Sequence, residues 1–174
     1  MAECFNSPDS SNDTVQQRLD QYLLDYKLTL PSAALPKGAY QTVVVSGDWA
    51  YVAGHLPIQA DGNLITGRLG LPGTDQNSEV EKGYRACQWA GLNILATLKA
   101  NLGSLDRVKQ VVKIVGFVQC ADDFHAQAAV LNGASELMRA VFGPGAGQAA
   151  RSALGANSLP LDSMVEVEAV VRIG

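Results

Sequence analysis

Arg151 and the carboxylates of Glu166 and Glu168 are the residues best suited to act together on a small acid. The run Val165-Glu166-Val167-Glu168-Ala169-Val170-Val171 alternates. Val165, Val167, Ala169 and Val171 share one face, which suits a core, and Glu166, Glu168, Val170 and Arg172 share the other. The segment Arg151-Ser152-Ala153-Leu154 precedes it through the turn Asn157-Ser158-Leu159-Pro160, and is expected to bring Arg151 near the carboxylate face. A fixed guanidinium beside a carboxylate suits a small carboxylate substrate and a base that acts on it. The pattern alone allows equally a partly buried ion pair between neighbouring strands.

Other reactive side chains offer less. Cys4, Cys87 and Cys120 form no CxxC pair, and Cys87 and Cys120 fall in apolar helix and strand patterns that suit small buried residues. His55 and His125 stand seventy positions apart, which gives a metal site little support. Gly54 closes an apolar strand and permits close backbone approach. His55 next to it reads as a satisfied strand-end histidine.

Composition bounds the answer. The chain of 174 residues fits one domain with a sizeable core. Only 17% of its residues are charged, so much of the surface is not charge-covered, which favours an oligomer. Through Lys27 there are five acidic and two basic residues, a difference of −3 out of the chain's net −4. The remainder is near neutral without a Lys/Arg cluster, which argues against a nucleic-acid surface. No apolar run reaches the roughly 18 residues of a spanning helix. The acidic, polar start lacks a basic n-region and an Arg-rich transit pattern. The expectation is a soluble, cytoplasmic protein with no membrane partner.

The positioning elements follow from periodicity. Residues 1 to about 13 read as a flexible lead, and Asp13 or Thr14 caps a short helix through about Tyr26. Pro31 and Pro36 mark an extended linker, so residues 1–34 form a flexible N-terminus with a short helix and 35–174 a single domain. Tyr40 to Ser46 and Trp49 to Ala53 read as a hairpin about Gly47-Asp48. Ser78-Glu79-Val80-Glu81 is a capping-box pattern that opens a helix to about Ala100. One apolar stripe runs along it through Val80, Tyr84, Cys87, Gly91, Leu95 and Leu98, and Gly91 lets another element come close. A buried strand spans Asp106 to Cys120. A second long helix starts near Asp122 or Asp123 and ends before Gly143-Pro144. Strands at Arg151 to Leu154 and Met164 to Ile173 complete the order ββ-α-β-α-ββ. This predicts an α+β fold, a mixed sheet with two long helices on one face. The other face, polar and apolar by turns, is left for subunit association.

The chain also resembles the YjgF/RidA family, once described as L-PSP endoribonucleases. The resemblance rests on Gly38-Ala39-Tyr40, Val52-Ala53-Gly54-His55-Leu56-Pro57, Gly116-Phe117-Val118, Asp123-Phe124, Asn132-Gly133-Ala134-Ser135, Arg151-Ser152-Ala153, and Leu159-Pro160 through Val165-Glu166-Val167-Glu168-Ala169. These occur in family order from about Leu35 to the end, and look closest to a longer-chain branch with an N-terminal extension. The resemblance implies a chorismate-mutase-like fold, a homotrimer with an inner β-barrel, and sites at subunit clefts. It implies hydrolysis of enamine and imine intermediates such as 2-aminoacrylate to 2-keto acids and ammonia, with no metal or organic cofactor. It makes Arg151 the carboxylate-binding arginine and Glu166 the water-handling glutamate. It adds Tyr40, Gly54, Asn132 and Ala153 as substrate-binding positions. Ala53 and Ala153 stand where better-studied members carry serine and cysteine, so the expected pocket loses two polar groups. Two other readings stay open: a trimer that binds small carboxylates without turnover, and an endoribonuclease.

Overall fold

The computed structural model describes residues 13–174. The flexible lead expected before the first helix lies, apart from Asp13, outside them. Helix α1 (Val15–Tyr26) starts at Thr14, whose side chain accepts from the Gln17 N–H while the Thr14 N–H donates to the Gln17 side-chain oxygen. It ends at Lys27 in the left-handed region. Next come β1 (Val43–Ser46), β2 (Trp49–His55), the long helix α2 (Gln76–Leu102), β3 (Val108–Gln119), α3 (Gln127–Ala146), β4 (Ala150–Ala156) and β5 (Val165–Ile173).

The five strands form one mixed sheet in the order β1-β2-β5-β3-β4. β5 lies at its centre, antiparallel to β2 and β3, and β4 runs parallel to β3 at the edge. Two parallel neighbours need a crossover, and α3 provides it, which sets α3 on one face. α2 covers the same face. The alternation of β5 appears as read: Val165, Val167, Ala169 and Val171 are buried, while Glu166, Glu168, Val170 and Arg172 turn to the other side. Among the described residues that second face carries no helix.

Several boundaries differ from expectation. β1 starts at Val43, so Tyr40 precedes the strand in a bend. β2 continues to His55 through an irregularity after Val52. α2 begins at Gln76, because Asp75 accepts from the Ser78 N–H and caps the helix one turn before the Ser78–Glu81 box. It ends at Leu102, with Gly103 at positive φ. The single stripe along α2 is also too narrow: everything from Ala90 to Leu98 is buried. The loop after β2 closes over the remaining side, where the Asn93 amide donates to the Ile58 and Trp89 carbonyls. α3 begins at Gln127 because Asp122 and Asp123 are spent in a turn that buries Phe124 under Gly70. It continues past Gly143-Pro144 across a kink at Gly143.

α2 and α3 meet with almost no spacing. A methyl at Gly133 would stand 2.0 Å from the Tyr84 carbonyl oxygen, and one at Gly91 would meet Leu137 at 2.8 Å. α1 lies on α3, with Leu19 and Tyr22 buried. Its Arg18 donates to the Val141 carbonyl of α3, and Gln88 of α2 donates to the Tyr22 hydroxyl.

Candidate functional site

Arg151 sits on the edge strand. It pairs with Ile114 of β3, whose side chain points into the helix-covered core, so Arg151 projects on that same side. There it meets α3. Its Nη1 donates to Asn132 Oδ1 at 2.7 Å and to Ser135 Oγ at 3.1 Å. Ser135 in turn donates to the Leu131 carbonyl, which fixes its hydroxyl as an acceptor for the arginine. Among the described residues no carboxylate pairs with Arg151, and its Nε and Nη2 have no protein partner. One edge of the guanidinium is held and the other is presented outward, the geometry that takes a carboxylate through two parallel bonds. Ala153 lies two residues further on the same face of β4, opposite Gly116.

Glu166 is elsewhere. It pairs with Phe117 of β3 and projects from the face without helices. β3 lies between β4 and β5, and the partners of Arg151 and Glu166 on it, Ile114 and Phe117, are three residues apart, so the two side chains occupy opposite faces of a three-strand span. The expectation that the chain brings Arg151 near the carboxylate face fails within one protomer, because β3 inserts between the last two strands and the register turns Arg151 to the opposite face. The ion pair between neighbouring strands is absent for the same reason.

The Glu166 carboxylate rests on Gly54. A methyl at Gly54 would lie 1.9 Å from Glu166 Oε1, so only glycine lets the two stand together. Glu166 is partly buried and has no hydrogen-bond partner among the described residues. Its proton affinity is raised, first by burial and then by the negative charge of Glu168 two residues on. A carboxyl group in such a place exchanges a proton nearer neutrality than a solvated one does.

Four of the six expected positions therefore fall into two pairs, Arg151 with Asn132 and Gly54 with Glu166. Ala153 belongs with the first. Tyr40 joins neither: it is 49% exposed, its backbone N–H bonds to Gly38 and its hydroxyl has no partner among the described residues. Ser135 was given no role from sequence, yet it holds the arginine with Asn132. The signal was there, since residues three apart share a helix face.

The open face around Glu166 is apolar over much of its area. Val44 and Tyr51 are about half exposed, at 49% and 50%, and Leu154 is 47% exposed. A shallow depression between Tyr51, Lys113, Val115, Glu168 and Val170 marks its middle. Lys113 donates there to the Ser152 hydroxyl at 2.8 Å. No helix among the described residues is long and apolar enough to cross a membrane.

Residues 20–172 match a family model described as "YjgF/chorismate mutase-like, putative endoribonuclease". Protein TCP17 of Trypanosoma cruzi is 40% identical over 146 residues, spanning 84% of this chain and 88% of that protein. The crystal structure of Atu1372 from Agrobacterium tumefaciens, a protein of unknown function, superimposes with a TM-score of 0.80 at 35% identity, covering 92% of this chain and 96% of its own. A protein of Shewanella oneidensis MR-1 named as a "putative endoribonuclease" gives 0.81 at 30% identity, covering 92% of this chain and all of its own.

Proposed function

The chain belongs to the YjgF/chorismate-mutase-like family, and on that premise we propose that it hydrolyses enamine and imine intermediates of the 2-aminoacrylate type to 2-keto acids and ammonia. The observation that carries this reading is the state of Arg151. Its charge is unpaired by any described carboxylate, one edge is anchored by Asn132 and Ser135, and the other is free for an acid group.

A 2-imino acid carries its carboxylate beside an electrophilic C=N carbon. Gripping the carboxylate fixes that carbon relative to a water molecule. The water oxygen bonds to the carbon as Glu166 takes a proton from it. Returning that proton to nitrogen gives the carbinolamine; Glu166 then takes the proton of the new hydroxyl as C=O forms and delivers it to nitrogen as the C–N bond breaks, leaving the keto acid and ammonia. A carboxyl group with raised proton affinity can both take and return that proton.

The two halves lie on opposite faces, so one protomer cannot apply both to one substrate. The reading therefore includes a homotrimer in which the Arg151 edge of one copy meets the Gly54–Glu166 face of the next. The half-exposed Tyr51, Val44 and Leu154 give that face the apolar surface that association buries. In this reading Tyr40, exposed ahead of β1, belongs to the contact between copies. Ribonuclease activity, present in the description of the family and in the name of the Shewanella protein, has less support: with net charge −4 and no basic cluster, a phosphate backbone finds no matching surface.

The test is a coupled assay in which an amino-acid oxidase or dehydratase generates imines from several amino acids. Added protein should speed keto-acid release for at least one of them, and Arg151→Ala should remove the gain. No acceleration across the panel, or full activity in Arg151→Ala, overturns the reading.

A further inference from the structure

Glu166 owes its position to an irregularity in β2. Val52 pairs with Ala169 and His55 with Val167, so three steps along β2 run against two along β5, and one residue bulges out. The bulge lies at Ala53-Gly54, and it sets the Gly54 backbone against the Glu166 carboxylate. Bulges bend a strand and re-aim what lies beside it, and they hold their shape only when the displaced backbone groups find partners.

His55 supplies that partner. It is 3% exposed, its Nδ1 stands 2.7 Å from the Ala53 carbonyl and its Nε2 stands 2.9 Å from Thr97 Oγ1 on α2. A carbonyl only accepts, so Nδ1 carries the proton. Nε2 then accepts from the Thr97 hydroxyl, which is fully buried. Burial lowers the proton affinity of the ring, in keeping with this neutral form. The imidazole thus ties the bulge of an otherwise ordinary strand to the most buried stretch of the long helix.

We propose that His55 is a positioning residue: through the Ala53 carbonyl it locks the Ala53-Gly54 bulge to Thr97, and so fixes where the Glu166 carboxylate lies. This rests on Glu166 acting as the water-handling group. His55 touches no substrate, and its effect travels through Gly54 alone.

The experiment reads Glu166 directly, by the carboxyl-carbon NMR titration of the full chain, alongside turnover in the coupled assay. Loosening the bulge with His55→Leu admits water to the carboxylate, so the Glu166 midpoint should move down toward the ordinary value. Turnover number should fall about ten- to a hundredfold with KM little changed, the scale of a small misplacement. His55→Gln, which can still donate to Ala53, should recover part of the loss. In a Glu166→Gln background the His55→Leu change should cost no further rate, since both act through one group. Thr97→Val removes only the far anchor, and should shift the midpoint the same way if His55→Leu does not fold. A Glu166 midpoint unmoved in every folded variant overturns the proposal. Because the titration needs no substrate, a wild type without imine hydrolysis sinks the functional reading and still leaves this one decided.

Discussion

The two faces of the central sheet are built from the same strands and carry opposite work. On the covered face Val165, Val167 and Val171 are no more than 1% exposed, and α2 and α3 close over them with glycines where the helices touch. Buried polar groups there are paired: Asn93 with Ile58 and Trp89, His55 with Thr97. On the open face Tyr51 and Val44 stand half exposed, and Glu166 has its proton affinity raised with no bond to satisfy it. Alternation within each strand lets a two-residue period put a closed core on one face and an unfilled, partly apolar surface on the other.

The sharpest way to break this contrast is to overfill each face by one methyl. Gly133→Ala drives a carbon into the Tyr84 carbonyl, a backbone atom that cannot step aside. It should destabilise the fold by about 3 kcal/mol or more, read from urea or thermal unfolding. Gly54→Ala meets only the end of the Glu166 side chain, which can swing away. Stability should change by about 1 kcal/mol or less, while turnover is lost with the displaced carboxylate. Equal unfolding penalties for the two changes would erase the distinction.

Next in size are the chemical groups themselves. Glu166→Gln should lower turnover by about a hundredfold or more, and Arg151→Ala should lower kcat/KM, mainly by raising KM. If the two act across a subunit boundary, trimers mixed from both variants should regain activity that neither has alone. Each mixed ring keeps one intact pair. Absence of rescue after verified mixing would argue against a shared site. A smaller effect follows from Tyr51→Glu, which places a charge in the open face. It should shift the oligomer toward monomer in sedimentation, with about 0.5 kcal/mol or less of change in the protomer's own stability.

The gentlest probe is pH. The raised proton affinity of Glu166 should set the acid limb of turnover above the ordinary glutamate value of about 4.3. His55 adds a stability term of opposite bearing. Its folded-state pKa lies below that of the unfolded chain, so the unfolded state takes up the proton first as pH falls. Stability should be full above about pH 6.5 and decline as pH drops toward the folded value. Unfolding midpoints flat across that range would remove His55 as the neutral, buried group described.

Local patterns made much of the sheet and helices legible in advance. The period of β5 revealed both faces, the Thr14 cap marked α1, and Gly91 foretold a close helix contact. What stayed hidden is non-local. Nothing in the two final strands reveals that β3 lies between them, or the register on β3 that turns Arg151 to one face and Glu166 to the other. The α2 cap moved because Asp75 reached the helix end before Ser78, a competition between equally good cap residues. Tyr40 looked like a strand residue because tyrosine suits strands, but it lies in a bend ahead of β1, whose pairing with β2 runs to Val43 and Val52, where the irregularity of β2 begins.

The first helix changes how the molecule can be handled. It is fastened to α3 and to α2 side chains, with the helix layer between it and the sheet. Leu24 on its outer surface is 73% exposed. A dye or a surface tether attached there would hold the protein by its back, leaving the face where copies are proposed to meet free to be watched.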